Sequence, residues 1–193
     1  MTANGSMKLY IKNMISPRCI REVKAELEKL GIKYTFVGTG ELITNEKISA
    51  KKLKELKIAL RKCGFELVDK KKSLLLERAL KEVAKIVDNS TRPPKAGFSK
   101  YISKKLNYDH THIADLFTEV KGITLELFII ANKVEKVKEV LVYDDLTLAE
   151  ISEKFHFDGV PHLAGELKKV TGLTPSHFKQ IRNKRSKPRK DQK

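Results

Sequence analysis

The alternation at Lys8-Leu9-Tyr10-Ile11-Lys12, with Leu9 and Ile11 on one side, predicts a first strand. Ser16-Pro17 then reads as a helix start and Gly31 as its stop, with Ile20, Val23, Leu27 and Leu30 at the spacing of one helix face. Two short apolar runs, 34–37 and 41–44, flank Gly38-Thr39-Gly40 and predict a hairpin. Ser49 caps a second helix with Leu53, Leu56, Ile58 and Leu60 turned inward, and residues 64–68 give a last strand. Cys63 is expected beside that strand as a small buried hydrophobe. Residues 73–88 form an apolar-striped helix from Leu74-Leu75-Leu76 through Leu80, Val83, Ile86 and Val87, able to pack on either neighbour, and a homodimer is expected through this helix or through the N-terminal domain. The segment 89–97, with Pro93-Pro94, reads as a hinge.

The C-terminal half repeats itself. Ile102-Ser103-Lys104-Lys105-Leu106-Asn107-Tyr108-Asp109 aligns with Ile151-Ser152-Glu153-Lys154-Phe155-His156-Phe157-Asp158 at an offset of 49 (151 minus 102). After one inserted residue the offset is 50, pairing Ala114 with Ala164, Val120 with Val170, Gly122 with Gly172 and Phe128 with Phe178. Each copy reads as helix, tight turn, second helix. Ser99 and the Thr147/Glu150 capping box begin the first helices, and Asp109 and Asp158 cap the second ones. Gly122 and Gly172 end them, while Asn107 and His156 occupy turns that need positive φ. A long helix with apolar Leu125, Ile129, Val134, Val137 and Leu141 joins the copies, and Thr174-Pro175 starts the last helix. A short turn followed by a capped second helix is the helix-turn-helix pattern.

The fold class is therefore α+β. A ferredoxin-like βαββαβ domain spans 7–70, a connecting helix and hinge 71–97, an all-α tandem helix-turn-helix domain 98–180 and a basic tail 181–193. The run Lys168-Lys169-Val170-Thr171-Gly172-Leu173-Thr174-Pro175, with Leu146-Thr147-Leu148-Ala149-Glu150-Ile151 before it, resembles the AraC/XylS transcription regulators over residues 95–180. That resemblance implies a cytoplasmic, sequence-specific regulator whose two second helices enter neighbouring major grooves of double-stranded DNA. It implies base readers at His110, Thr111, His112 and Asp115 in the first copy and at Val160, His162 and Gly165 in the second, with Lys168 and Lys169 on phosphates. Gly165 and Glu166 depart from the family, the first removing a reader and the second placing a negative charge toward DNA. Met14-Ile15-Ser16-Pro17-Arg18-Cys19 resembles the metal loop of heavy-metal-associated domains. Cys19 matches the second cysteine of that motif, whereas Ser16 stands at the first. Cu(I) or another soft metal is expected only with cysteine at position 16, because a hydroxyl is a poor substitute for a thiolate.

Net charge refines this picture. The chain of 193 residues carries +16, which suits a polyanionic partner. Residues 1–94 hold 21 basic and 11 acidic side chains and residues 179–193 hold 8 and 1, leaving 11 and 12 in the body 95–178. The stretch 184–190 is expected to be disordered and to add phosphate contacts. Residues 1–6 read as a tag remnant before a second start at Met7, and no apolar run is long enough to span a membrane. Two cysteines are too few for a disulfide framework. No nucleophile elbow, phosphate-binding glycine loop or dense His/Asp/Glu cluster supports an enzyme. A metal-delivery protein accounts only for the first half, and a nonspecific nucleic-acid binder leaves the repeat unexplained. The repeat also predicts that residues 90–193 bind a specific duplex on their own.

Overall fold

The computed structural model describes residues 5–88 and 97–186, with side chains described as far as 183 in the last helix. The expected hinge over 89–96 and the tail beyond 186 lie outside the described residues. The element order is β1 (Met7–Lys12), α1 (Pro17–Lys29), β2 (Tyr34–Gly38), β3 (Glu41–Thr44), α2 (Ala50–Lys62), β4 (Glu66–Leu67) and α3 (Lys70–Val87). There follow α4 (Phe98–Leu106), α5 (His110–Lys121), α6 (Leu125–Tyr143), α7 (Leu148–Lys154), α8 (Val160–Thr171) and α9 (Pro175–Ser186). The chain divides into two compact units, Met1–Leu80 with Ser99–Leu125 and Lys81–Phe98 with Glu126–Lys193. This division falls between the two copies of the repeat: the first copy, from Ser99 onward, belongs with the sheet.

In the first unit the strands lie in the order β2-β3-β1-β4, every neighbouring pair antiparallel, with Leu9 opposite Leu42 and Ile11 opposite Leu67. Leu9 and Ile11 share one core with Val23 and Leu27 of α1 and Leu56 and Leu60 of α2, so both helices cover the same sheet face. Tyr10 points to the opposite face and is also fully buried. Alternation alone predicts one open face, but here the second face is covered too. Ile58, expected inward, is exposed: it lies two residues past Leu56, about 200° round the helix from the buried side. Cys63 is likewise exposed, because α2 ends at Lys62 and Cys63 sits past the last inward position, Leu60. Along α3, Leu75, Leu76, Ala79, Val83, Ile86 and Val87 are buried within the chain. The apolar stripe is thus covered without a second copy.

In the second unit Val134, Val137 and Leu141 of α6 pack with Ile151, Phe155, Leu163, Leu167 and Phe178. Arg182 fastens α9 to the loop after α6, donating to the Asp144 carbonyl at 2.7 Å and pairing with Asp145 at 3.0 Å. α9 continues to Ser186, so residues 184–186 are helical where a disordered tail was expected. Lys133 is the unforeseen element of this core. It is buried, donates to the Phe155 carbonyl at 2.9 Å and lies over the rings of Phe98 and Phe157. Burial pushes its ammonium from 10.5 down to about 8. Because the folded value lies below the unfolded one, the unfolded chain holds more protons between those two pH values. The penalty is complete below pH 8 and fades as the pH rises toward 10.5. Relative to Lys133→Met, the wild-type chain is expected to gain about 2 kcal/mol between pH 7 and 10 in urea titrations. A pH-independent difference between the two would show that Lys133 is solvated.

Candidate nucleic-acid interface

The two copies build their turns in the same way. In the first, the Tyr108 amide donates to the Ser103 carbonyl at 3.2 Å and the Ser103 hydroxyl donates to the Tyr108 carbonyl. In the second, the Phe157 amide donates to the Ser152 carbonyl at 2.9 Å and the Ser152 hydroxyl to the Phe157 carbonyl at 3.5 Å. Asn107 and His156 take φ of 54° and 53°, as their place in a tight turn demands. Gly122 and Gly172 close the second helices at φ 73° and 75°, a left-handed geometry that a side chain would strain. Thr147 and Glu150 form the predicted capping box.

The helix starts differ. Asp109 caps α5, accepting from the Thr111 and His112 amides at 2.9 and 3.2 Å, and those amides hold its carboxyl below the usual range. Asp158 does not cap α8. The inserted residue, Gly159, occupies the cap position at φ 103°, and the Asp158 amide instead donates to His162 Nδ1 at 3.2 Å. That bond leaves Nε2–H of His162 as the ring's outward donor. Ser99 lies inside α4, which already begins at Phe98.

Along α5, Ile113, Leu116, Phe117 and Val120 are buried, while His110, Thr111, His112 and Asp115 are exposed on the other side. Along α8, Leu163 and Leu167 are buried, His162, Gly165, Lys168 and Lys169 are exposed and Val160 is half-buried. The proposed readers of each copy, Val160 excepted, are therefore open to solvent on its second helix. Sequence reasoning missed their support. His112 stacks on Tyr108 with centroids 6.2 Å apart, and His162 meets Phe157 edge-on at 5.5 Å. Tyr108 and Phe157 are matched at offset 49 and the two histidines at offset 50, so the repeat held this signal.

Glu166 corrects another expectation. It is buried beneath α8 and paired with Lys169 at 2.6 Å, so its charge faces the protein and is neutralised. Lys169 is engaged by that pair, whereas Lys168 is exposed. A Cβ added at Gly165 would meet nothing within 4 Å. Gly165→Ala is accordingly expected to raise stability by about 0.5–1 kcal/mol, read as a higher urea midpoint. A loss of stability would mean that this position is crowded.

The far end of α5 is held by the sheet. The Asn13 amide donates to the Glu119 carbonyl at 3.2 Å, Lys12 pairs with Glu119 at 2.6 Å, and Lys121 pairs with Glu41 at 3.4 Å. Gly40 lies against the backbone of Val120, and Ile15 against Gly122. Asn13, itself at φ 67°, also donates through Nδ2 to the Gly64 carbonyl at 3.0 Å. Cys19 adjoins this junction. Ser16 precedes α1 without a side-chain capping bond; its Oγ lies 3.2 Å from Cys19 Sγ, and this hydrogen bond lowers the thiol's pKa. Cys19 and Cys63 line one open cleft with Asn13, Arg18 and Phe65. Among the described residues no three His, Cys, Asp or Glu side chains are grouped to hold a metal. No described helix is long and apolar enough to cross a membrane.

Comparison with known proteins agrees with this geometry. Residues 102–181 match a family described as a helix-turn-helix domain. The TetD protein of transposon Tn10 from Escherichia coli is 30% identical over 79 residues, covering 41% of this chain and 57% of that protein. YtdP of Bacillus subtilis, an uncharacterized HTH-type transcriptional regulator, is 23% identical over 79 residues, covering 41% of this chain and 10% of that protein. The chain thus spans just over half of one relative and a tenth of the other. The C-terminal domain of AraT, a response regulator from Geobacillus stearothermophilus, aligns with a TM-score of 0.49 at 18% identity, covering 61% of this chain and 91% of that one. Residues 102–181 of this chain are a helix-turn-helix domain.

Proposed function

We propose that the chain is a sequence-specific, DNA-binding transcription regulator of the AraC/XylS type, with α5 and α8 each reading a major groove. The observation that carries this reading is the doubled unit, in which the same serine-closed turn and aromatic-backed histidine present a polar helix side over a buried apolar one. Such a side suits base edges, where hydrogen-bonding side chains discriminate sequence. Replacing His112 or Asp115 with alanine is expected to lower affinity for a duplex selected by the wild-type chain about tenfold, with binding to random duplex unchanged. Equal losses on both duplexes would place these residues on the backbone and leave the sequence unread.

The strand order β2-β3-β1-β4 with α1 and α2 on one face supports a ferredoxin-like reading of the N-terminal half. We assign that half to ligand sensing or protein contacts, transmitted through the junction at Asn13. The loop of this chain does not fit a soft metal: Ser16 supplies a hard hydroxyl beside a single thiol. Ser16→Cys would place a second thiol near the start of α1, where helix amides favour the thiolate. In competition with a Cu(I) chelator, the wild-type chain is expected to retain little metal and Ser16→Cys to show a clear gain. No gain in the variant would make the loop resemblance misleading.

A further inference from the structure

The helix-turn-helix body 95–178 has 11 basic and 12 acidic residues, too even a balance to draw in a polyanion by itself. Outside the basic tail 179–193, positive charge is densest on α2, which carries six basic residues and one acidic one, Glu55. Its apolar side, Leu56 and Leu60, is buried in the sheet core. The opposite side presents Lys51, Lys54, Arg61 and Lys62 around Ile58, with Lys57 at the margin, all exposed. Among the described residues no ion pair neutralises any of these five cations. On neighbouring α1, Glu22 and Glu26 are paired with Arg18 and Lys29, which leaves Glu28 as its one carboxylate against the five cations. From Lys51 to Lys62 the stripe runs about 16 Å, close to five nucleotides along one strand.

We infer that the exposed face of α2 is a second DNA contact, binding the phosphate backbone beside the groove read by α5. Position supports this partner. The C-terminal end of α2 leads into Gly64, whose carbonyl accepts from Asn13, and the Asn13 amide donates to Glu119 of α5. One end of the stripe is therefore joined through one residue to the C-terminal end of α5, inside one compact unit, with the proposed readers at the opposite end of that helix. A single apolar residue at its centre, Ile58, is too little for insertion into a lipid surface, which needs a broad apolar face. The inference rests on the DNA-binding reading and adds to it where the affinity comes from.

The test is the full chain carrying Lys51→Gln, Lys54→Gln and Arg61→Gln, titrated with a selected duplex and with random duplex over a range of salt. All three positions are exposed, and a circular dichroism spectrum matching the wild type is the check that the variant folds. The expected result is an equal drop of about tenfold or more on both duplexes, with a salt dependence shallower by about 2–3 units. Trimming the DNA flanking the α5 half-site should remove the difference between wild type and variant. Unchanged affinity and slope, with selective binding intact, would overturn the contact at α2 while leaving the groove readers standing. Wild-type binding to phosphatidylserine vesicles that the variant loses, with unchanged DNA binding, would assign the stripe to a membrane surface and overturn it as well. Failure of the wild-type chain to prefer any duplex would instead remove the reading on which the inference rests.

Discussion

Gly40→Ala is expected to destabilise the protein by about 3 kcal/mol or more and to weaken binding through the first helix-turn-helix copy. Gly40 has φ of 71°, where an alanine already costs about 1–2 kcal/mol. The larger part comes from what the methyl group would strike: it would overlap the Val120 carbonyl oxygen and lie 2.9 Å from the Val120 carbonyl carbon and Cγ1. Backbone cannot swing aside as a long side chain can. The end of α5 would have to withdraw, breaking the Asn13 to Glu119 bond and opening the fully buried Val120 to water. Gly165→Ala, with open space around it, provides the opposite sign in the same protein. A shift in urea midpoint equivalent to no more than about 1 kcal/mol for Gly40→Ala would mean that α5 does not dock on the hairpin turn. The same docking revises the expectation that residues 90–193 act alone. The second helix of the first copy completes its packing on the sheet, and a fragment without the sheet leaves that end bare.

Local signals were legible because their physics is local. Asn107 and His156 announced positive φ, Asp109 and Thr147 announced caps, and Gly122 and Gly172 announced helix ends. The repeat carried the exposed sides of α5 and α8, since aligned positions repeat a buried face along with a turn. Asp158 misled because a single insertion moved the cap to Gly159, and the Asp158 backbone amide donates to the His162 ring instead. Ile58 misled because its apolar character was read without its angle on the helix. Lys133 lies beyond local reading, whereas Glu166 sits three residues before its partner Lys169 and was misread by charge without its angle on the helix. The Phe155 carbonyl reaches Lys133 only through packing of separate helices. The docking of α5 on β1 was equally hidden. It joins Asn13 to Glu119 across the intervening chain with no periodicity to mark it, and only shape brings Gly40 against Val120.

These features converge on one claim, that the paired units read DNA sequence. Polar side chains aligned on two helices, with histidines steadied by Tyr108 and Phe157, suit direct readout, where each wrong base pair costs about 1–3 kcal/mol. A few such contacts in two half-sites sum to a preference of about 10³ or more over random DNA. Charge alone, including the stripe on α2, adds affinity for every sequence equally and cannot produce that ratio. The direct measurement is a mobility-shift competition with the full chain at physiological salt, using a duplex selected by the protein and challenged with unlabelled selected or scrambled duplex. The account predicts that scrambled competitor is needed at about 10³-fold or greater excess over the selected one for the same displacement. Equal competition by the two duplexes would contradict it and leave a basic protein that holds DNA without reading it.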